Sequence, residues 1–216
     1  MVAPFRDVPL GPREVLVTEG AEGVRYLRSP KPLGAYPDRA TEWLVRWASE
    51  RPDRVFLAKR EASGRWRELT YRDTLAHVRA IAQGLLARKL DAQRPVVILS
   101  ENDSEHALIA LAAMHVGIPY APISPAYSTL ATEYSKLQGV IDTLTPGLVY
   151  AASADQYARA ICATIDSSVE VVLGAGEIAG RATTSFASLA TTVPTSAVDV
   201  SHRAVTPDTI LKFLFT

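Results

Sequence analysis

Pro95-Val96-Val97-Ile98-Leu99 and, one helix later, Gly117-Ile118-Pro119-Tyr120-Ala121-Pro122-Ile123 decide the fold. The first is a continuous apolar run, as a parallel strand covered on both faces requires; a strand with one wet face would alternate. Between the two, Asn102 with Glu105 three residues on has the capping pattern of a helix start. Leu108, Ile109, Leu111, Ala112, Ala113 and Val116 then make that helix apolar nearly all round, hence buried. Gly117 supplies the left-handed position that ends it, and the prolines of the second stretch suit the ends or the outer edge of a short strand. Strand, buried helix and strand in this order form a parallel crossover unit.

The pattern continues outward in both directions. Downstream, Ser128 is placed to cap a helix carrying Leu130, Tyr134, Leu137 and Ile141, which Pro146-Gly147 breaks before the strand Leu148-Val149-Tyr150. Ser153 with Gln156 opens a helix through Tyr157, Ala160, Ile161 and Ile165, and Val169-Glu170-Val171-Val172-Leu173 is the next strand. Residues 174–201, rich in Gly, Ala, Ser and Thr, are expected as a long loop with one short helix at 186–189, and Ile210-Leu211-Lys212-Phe213-Leu214-Phe215 as a buried final strand. Upstream, Thr70 with Asp73 caps a helix running to about Lys89, its apolar face Leu75, Val78, Ala82 and Leu85, with His77 and Arg79 solvated. A hairpin is expected over 55–69, turning at 62–64. A helix from Thr41 should bury Trp43, Leu44, Trp47 and Ala48. Alternation of this kind means an α/β fold, a doubly wound, mostly parallel sheet with flanking helices over 41–216. Residues 1–40 form a separate arm, a β-hairpin around Gly20 and Gly23 followed by a Pro-rich linker.

The totals exclude several function classes. Lys+Arg and Asp+Glu are both 23, which removes the electrostatic case for a nucleic-acid partner. The longest apolar block, 107–116, is far short of the roughly 20 residues a membrane span needs, so no membrane partner is expected. The N-terminus has no apolar stretch of the signal-peptide kind, which implies a cytoplasmic location. Cys162, the single cysteine, permits no disulfide framework or thiolate zinc site and reads as a small buried hydrophobe.

Motif chemistry is sparse. Gly174-Ala175-Gly176 follows a strand, but the next glycine, Gly180, comes one residue too late for a dinucleotide fingerprint, and a glycine turn is the better reading. This disfavours a nicotinamide-dependent oxidoreductase. Ser100 follows a buried strand without the glycines that a nucleophile elbow needs. His77, His106, His115 and His202 are scattered. Only Asp103 and His106 lie together on one helix, where a solvated N-terminus explains them. No catalytic residue and no metal ligand is assigned.

Three stretches, taken in order, carry a resemblance. Leu69-Thr70-Tyr71-Arg72-Asp73 is similar to the first core motif of the adenylate-forming superfamily, the acyl-CoA synthetases, luciferases and peptide-synthetase adenylation domains. The run from Leu111 to Ser124 resembles the second, and Lys212-Phe213-Leu214-Phe215-Thr216 resembles the strand entering the third. From about Ser29 onward the chain resembles the N-terminal part of bacterial feruloyl-CoA synthetases, most of all at Ser124-Pro125-Ala126-Tyr127-Ser128, at Leu144-Thr145-Pro146-Gly147-Leu148-Val149 and at the final Lys-Phe-Leu-Phe-Thr.

The resemblance implies ATP, Mg²⁺ and CoA as the cofactors of a full-length relative acting on a small carboxylic acid. It also implies that the last strand leads into a Thr/Ser/Gly-rich phosphate loop, of which only Thr216 has a counterpart here. Thr216 is therefore the one residue placed at a cofactor site. By the same resemblance the chain is expected to be a truncated fragment, inactive alone, holding no cofactor tightly and self-associating through its exposed edge. The alternative is a non-catalytic α/β module that binds a partner through the open strand edge.

Overall fold

The computed structural model describes residues 14–61 and 63–215, and the chain divides into two compact units, Met1–Tyr36 and Pro37–Thr216. In the first, β1 (Leu16–Glu19) and β2 (Arg25–Arg28) pair antiparallel with Val17 opposite Leu27. A 3-10 turn joins them, with Glu22 and Gly23 at positive φ. Both strands are exposed along their whole length.

The second unit holds a five-stranded parallel sheet in the order β6-β5-β7-β8-β9. Its strands are β5 (Val96–Leu99), β6 (Tyr120–Pro122), β7 (Leu148–Ala151), β8 (Glu170–Leu173) and the two-residue β9 (Thr184–Ser185). The continuous apolar runs put side chains on both faces of this sheet, and both faces are covered. Val96, Ile98, Leu148, Tyr150 and Val172 face one layer, built from α2 (Tyr71–Leu86), α3 (Ser104–His115), α7 (Phe186–Ala190) and α8 (Ser196–Ala204). Val97, Leu99, Val149, Ala151 and Val171 face the other, where α5 (Ser135–Leu144) and α6 (Ala154–Thr164) pack. Residues from α1 (Glu42–Glu50) and an antiparallel hairpin of β3 (Val55–Arg60) and β4 (Trp66–Thr70) complete the first layer. The expected cap at Thr70 forms as a full capping box, Thr70 Oγ1 accepting from the Asp73 N–H at 3.1 Å.

Several expectations are corrected. The strand expected at 210–215 shrinks to one parallel bridge, Lys212 beside Tyr120: the Tyr120 N–H donates to the Leu211 carbonyl at 3.1 Å, and the Phe213 N–H to the Tyr120 carbonyl at 2.9 Å. The next rung would need an N–H from Pro122, which has none, so the ladder stops and Leu214 and Phe215 stay exposed. The helix expected from Ser128 is two elements, α4 (Ala126–Thr129) and α5, with Leu130 exposed between them. Asp103 rather than Asn102 caps α3. Residues 174–201 hold the start of a second helix, α8, as well as α7. In α1 only Leu44 is buried. Trp43 lies half-exposed with the Arg46 guanidinium 5.6 Å from its ring centre, and Arg46 also covers Trp47. Cys162 is exposed, one step round α6 from the buried Tyr157, Ala160, Ile161 and Thr164.

Candidate functional site at the carboxyl edge of the sheet

Parallel sheets present ligand sites where their strands end and the winding direction reverses. Here α3 leads from β5 outward to β6, whereas α4 and α5 carry the chain back across β5 to β7. The reversal therefore lies between the ends of β5 and β7, and the polar side chains of the loop after β5 and the first turn of α3 gather there.

Ser100 is buried, and its Oγ lies 2.8 Å from Nδ1 of His106. The same Nδ1 lies 3.3 Å from the Glu101 carbonyl, which can only accept. Nδ1 therefore carries the proton, Ser100 accepts it, and Nε2 is left as the bare acceptor. Burial pulls the His106 pKa below its ordinary value, against the Glu101 carbonyl and Asp103, and the Lys212 charge adds to the lowering. A serine that accepts from a neutral imidazole is not being deprotonated by it, so this pair lacks the geometry of an activated nucleophile. Asp103 is occupied as the helix cap, accepting from the His106 backbone N–H at 2.6 Å.

Next to them, the Tyr150 hydroxyl donates to Glu105 Oε2 at 2.9 Å. Tyr150 is fully buried, and burial followed by the Asp103 and Glu105 charges drives its pKa far upward, so the phenol stays protonated. Gly174 leaves the space: a Cβ there would stand 2.5 Å from Glu105 Oε2 and 2.6 Å from the Ala152 carbonyl oxygen. Tyr157 of α6 is also fully buried, its hydroxyl without a partner among the described residues, and burial with Glu101 and Asp103 raises its pKa. Two clefts flank His106. One, of about 530 Å³, is lined by Ser100, Glu101, Pro122 and Ser124. The other, of about 330 Å³, lies between Leu57 and Lys59 of β3 and Asn102 and Ser104.

The structure thus brings Ser100, which the sequence reading treated separately, to the Asp103 and His106 that it placed together on one helix. It adds Glu105 and Tyr150, 45 residues apart, which that reading missed. The available signal was a tyrosine inside an all-buried strand, because a buried phenol needs an acceptor. His77 is half-buried on α2, and His115 and His202 lie together elsewhere. Thr216 lies outside the described residues, as does the turn residue Ala62. Among the described residues no group of three or more His, Cys, Asp or Glu side chains is arranged to hold a metal ion, and no helix is long and apolar enough to cross a membrane.

Known proteins share this architecture. A structure assigned as a long-chain-fatty-acid CoA ligase from Rhodopseudomonas palustris is 23% identical with a TM-score of 0.57, over 73% of this chain and 37% of its own. An acyl-CoA synthetase of Brucella canis is 20% identical with a TM-score of 0.59, over 74% and 29%. The luciferase-like enzyme of the nonluminescent mealworm Zophobas morio is 14% identical with a TM-score of 0.57, over 79% and 37%. At these identities the likeness is one of fold, and the chain matches between a quarter and two-fifths of the length of each. Among curated proteins none matches this sequence. The family model for AMP-binding enzymes matches residues 44–216, the whole of the parallel sheet with its helices and the bridge at Lys212, and the chain belongs to that family.

Proposed function

We propose that this chain is the N-terminal portion of an ATP-dependent acid–CoA ligase, acting on ferulate or a related aromatic acid through an acyl-adenylate. One observation carries the reading: in a chain of the AMP-binding family, residues 211–213 run parallel to β6 toward the carboxyl edge of the sheet. By the resemblance, that run leads into the loop that holds the ATP phosphates and begins at Thr216. The aromatic acid rests on the likeness of 124–128 and 144–149 to feruloyl-CoA synthetases.

In the proposed reaction a carboxylate oxygen of the acid attacks the α-phosphorus, a P–O bond breaks, and pyrophosphate leaves. The CoA thiol then attacks the acyl carbon, the bond to AMP breaks, and the thiol proton is lost. Mg²⁺ would neutralise phosphate charge in such a site. The described residues do not fit a nucleoside triphosphate or its metal by themselves. Glu101, Asp103 and Glu105 place three carboxylates at this edge, where Lys212 is the cation felt by His106. No chemical step is therefore assigned to them. Ser100, His106, Glu105 and Tyr150 fix the shape of the edge on which further residues would act.

The test is exchange of labelled pyrophosphate into ATP by the 216-residue chain, with ferulate, other aromatic acids and fatty acids. No exchange above background is expected, and measurable exchange with any acid would overturn the division of labour proposed here. Reading the coding sequence beyond Thr216 separates this from a second proposal, a partner-binding module using the open edge, which the exposure of Ile210, Leu214 and Phe215 favours. A Thr/Ser/Gly-rich stretch ending in lysine supports the ligase, and an immediate stop codon overturns it.

A further inference from the structure

Away from the carboxyl edge, three polar side chains from distant parts of the chain meet under α8. Thr41 is 1% exposed and His115 also 1%. Thr41 Oγ1 lies 3.0 Å from His115 Nδ1 and 3.1 Å from His202 Nε2, and the two imidazoles stack with centroids 4.0 Å apart. His115 Nε2 is buried with no partner among the described residues.

The proton count of this group is tightly constrained. A hydroxyl donates one proton and accepts through two lone pairs; the buried Thr41 Oγ1 has no third partner among the described residues, so its proton goes to one ring and the other ring donates to it. If His115 accepted, its proton would sit on Nε2, a buried donor with no acceptor. Its Nδ1–H therefore donates to Thr41, and Thr41 donates to His202 Nε2, leaving a bare Nε2 lone pair on His115. No place remains for a further proton. On His115 it would be a buried, unpaired N–H; on His202 it would turn the Thr41 proton away from its acceptor and leave it buried with no partner among the described residues.

Little else holds α8 down. Val198 is its one buried residue, and the other anchors are polar: Asp199 with the Arg79 guanidinium of α2 at 2.5 and 3.0 Å, and Thr195 with Gln83 at 2.7 and 2.9 Å. The Arg79–Asp199 pair corrects the expectation that Arg79 is solvated. Beyond α8, Val205 is buried against Gly117, and the 206–209 turn delivers the chain to the bridge at Tyr120.

We propose that Thr41, His115 and His202 form a proton-sensitive latch that holds α8, and with it residues 205–213, against the α2–α3 layer. The charges facing the rings come from every neighbouring element: Arg39 and Glu42 at the start of α1, Arg79 from α2, and Asp199 from α8, which also carries Arg203. Burial, then the His202 ring and Arg79, push His115 down to about 3, and burial, then Arg39, lower His202, so Asp199 and Glu42 do not offset the penalty. Both rings are neutral in the latched state and take up protons freely, near pH 6.5, only when α8 is released. The inference is independent of the ligase reading.

Hydrogen exchange of the 216-residue chain at pH 7.5 and 5.5, corrected for intrinsic rates, tests it. His115 should raise the opening constant of 196–204 and 209–213 about tenfold over that interval, and His202 should add to it in the same direction, while β5 and β7 stay protected. His115→Asn with His202→Gln keeps the hydrogen bonds but cannot titrate, and should remove the pH dependence. Uniform loss across the sheet, or the same pH response in the double variant, would overturn the latch. Imidazole NMR of the unmodified chain gives a second measurement that does not depend on the variant folding. Both rings should titrate only as α8 loses protection, and a ring titrating near 6.5 with α8 still protected sinks the proposal.

Discussion

Replacing Gly174 by alanine is the sharpest probe of how the carboxyl edge is built. The backbone at Gly174 is not in the left-handed region, so the cost is steric rather than conformational. The added Cβ would meet Glu105 Oε2 at 2.5 Å, the Ala152 carbonyl at 2.6 Å and the Tyr150 hydroxyl at 3.1 Å. Glu105 can swing away, but the Ala152 carbonyl belongs to the chain leaving β7 and cannot. Overpacking of this kind costs about 1–3 kcal/mol. Displacing Glu105 strands the buried Tyr150 hydroxyl and removes a hydrogen bond to a charged group, about 1.5–3 kcal/mol more. A loss of about 2.5–6 kcal/mol is therefore expected, a large share of the roughly 5–15 kcal/mol that holds a domain together. Gly139 of α5 is the control. It is exposed, a Cβ added there would have nothing within 4 Å, and it sits inside a helix, so Gly139→Ala should stabilise by about 0.5–1 kcal/mol. Urea unfolding of both variants reads the difference. Gly174→Ala within about 1 kcal/mol of the parent, or Gly139→Ala destabilising, would refute the reasoning.

Two further outcomes follow from the charge and the edge. Glu170 at the start of β8 is raised by burial but lowered more by hydrogen bonds from Arg88 at 2.7 and 2.9 Å and from Thr184 at 2.7 Å, so its pKa lies below the ordinary 4.5. A depressed carboxylate stabilises the fold above its unfolded pKa and loses that contribution as pH falls. Glu170→Gln should therefore cost about 1–2 kcal/mol at pH 7 and progressively less as pH falls below 4.5, and a cost that does not change with pH in urea titrations would contradict the assignment. At the β6 edge, the exposed Ile210, Leu214 and Phe215 should drive self-association. Light scattering is expected to show mass rising with concentration, reduced by Leu214→Lys, and a monodisperse monomer at high concentration would count against it.

What the sequence made legible follows from how each feature is encoded. β5, β7 and β8 announce themselves because a strand covered on both faces needs no polar alternation, and α2 and α3 because their buried positions recur within a few residues. Local periodicity cannot say which neighbour covers a face. Trp43 and Trp47 share helical spacing with Leu44, yet the layer reaches α1 at Leu44 while Arg46 lies over the rings. α8 escaped notice because its docking is polar: a helix whose one buried residue is Val198 leaves no apolar stripe to read. The Tyr150–Glu105 pair at the candidate site and the pairs under α8 join residues 45 to 161 positions apart, and no short window along the chain contains both partners.

The strand expected at 210–215 shows how one residue redirects a reading. Apolar and aromatic side chains in that run favour extended structure, and the first rungs beside Tyr120 form. Continuing the ladder, however, depends on the donor of the partner strand, and Pro122 stands where that donor is required. On the β5 side the same strand is unaffected: the Ile123 N–H reaches the Ile98 carbonyl at 3.0 Å, because Pro122 points its missing donor outward. The proline thus leaves β6 firmly paired on its inner side and unable to bind residues 214 and 215 on its outer side. The chain is consequently released from the sheet at the carboxyl edge. On the ligase reading proposed above, the loop expected after residue 215 needs this freedom, and a continuous strand would deny it.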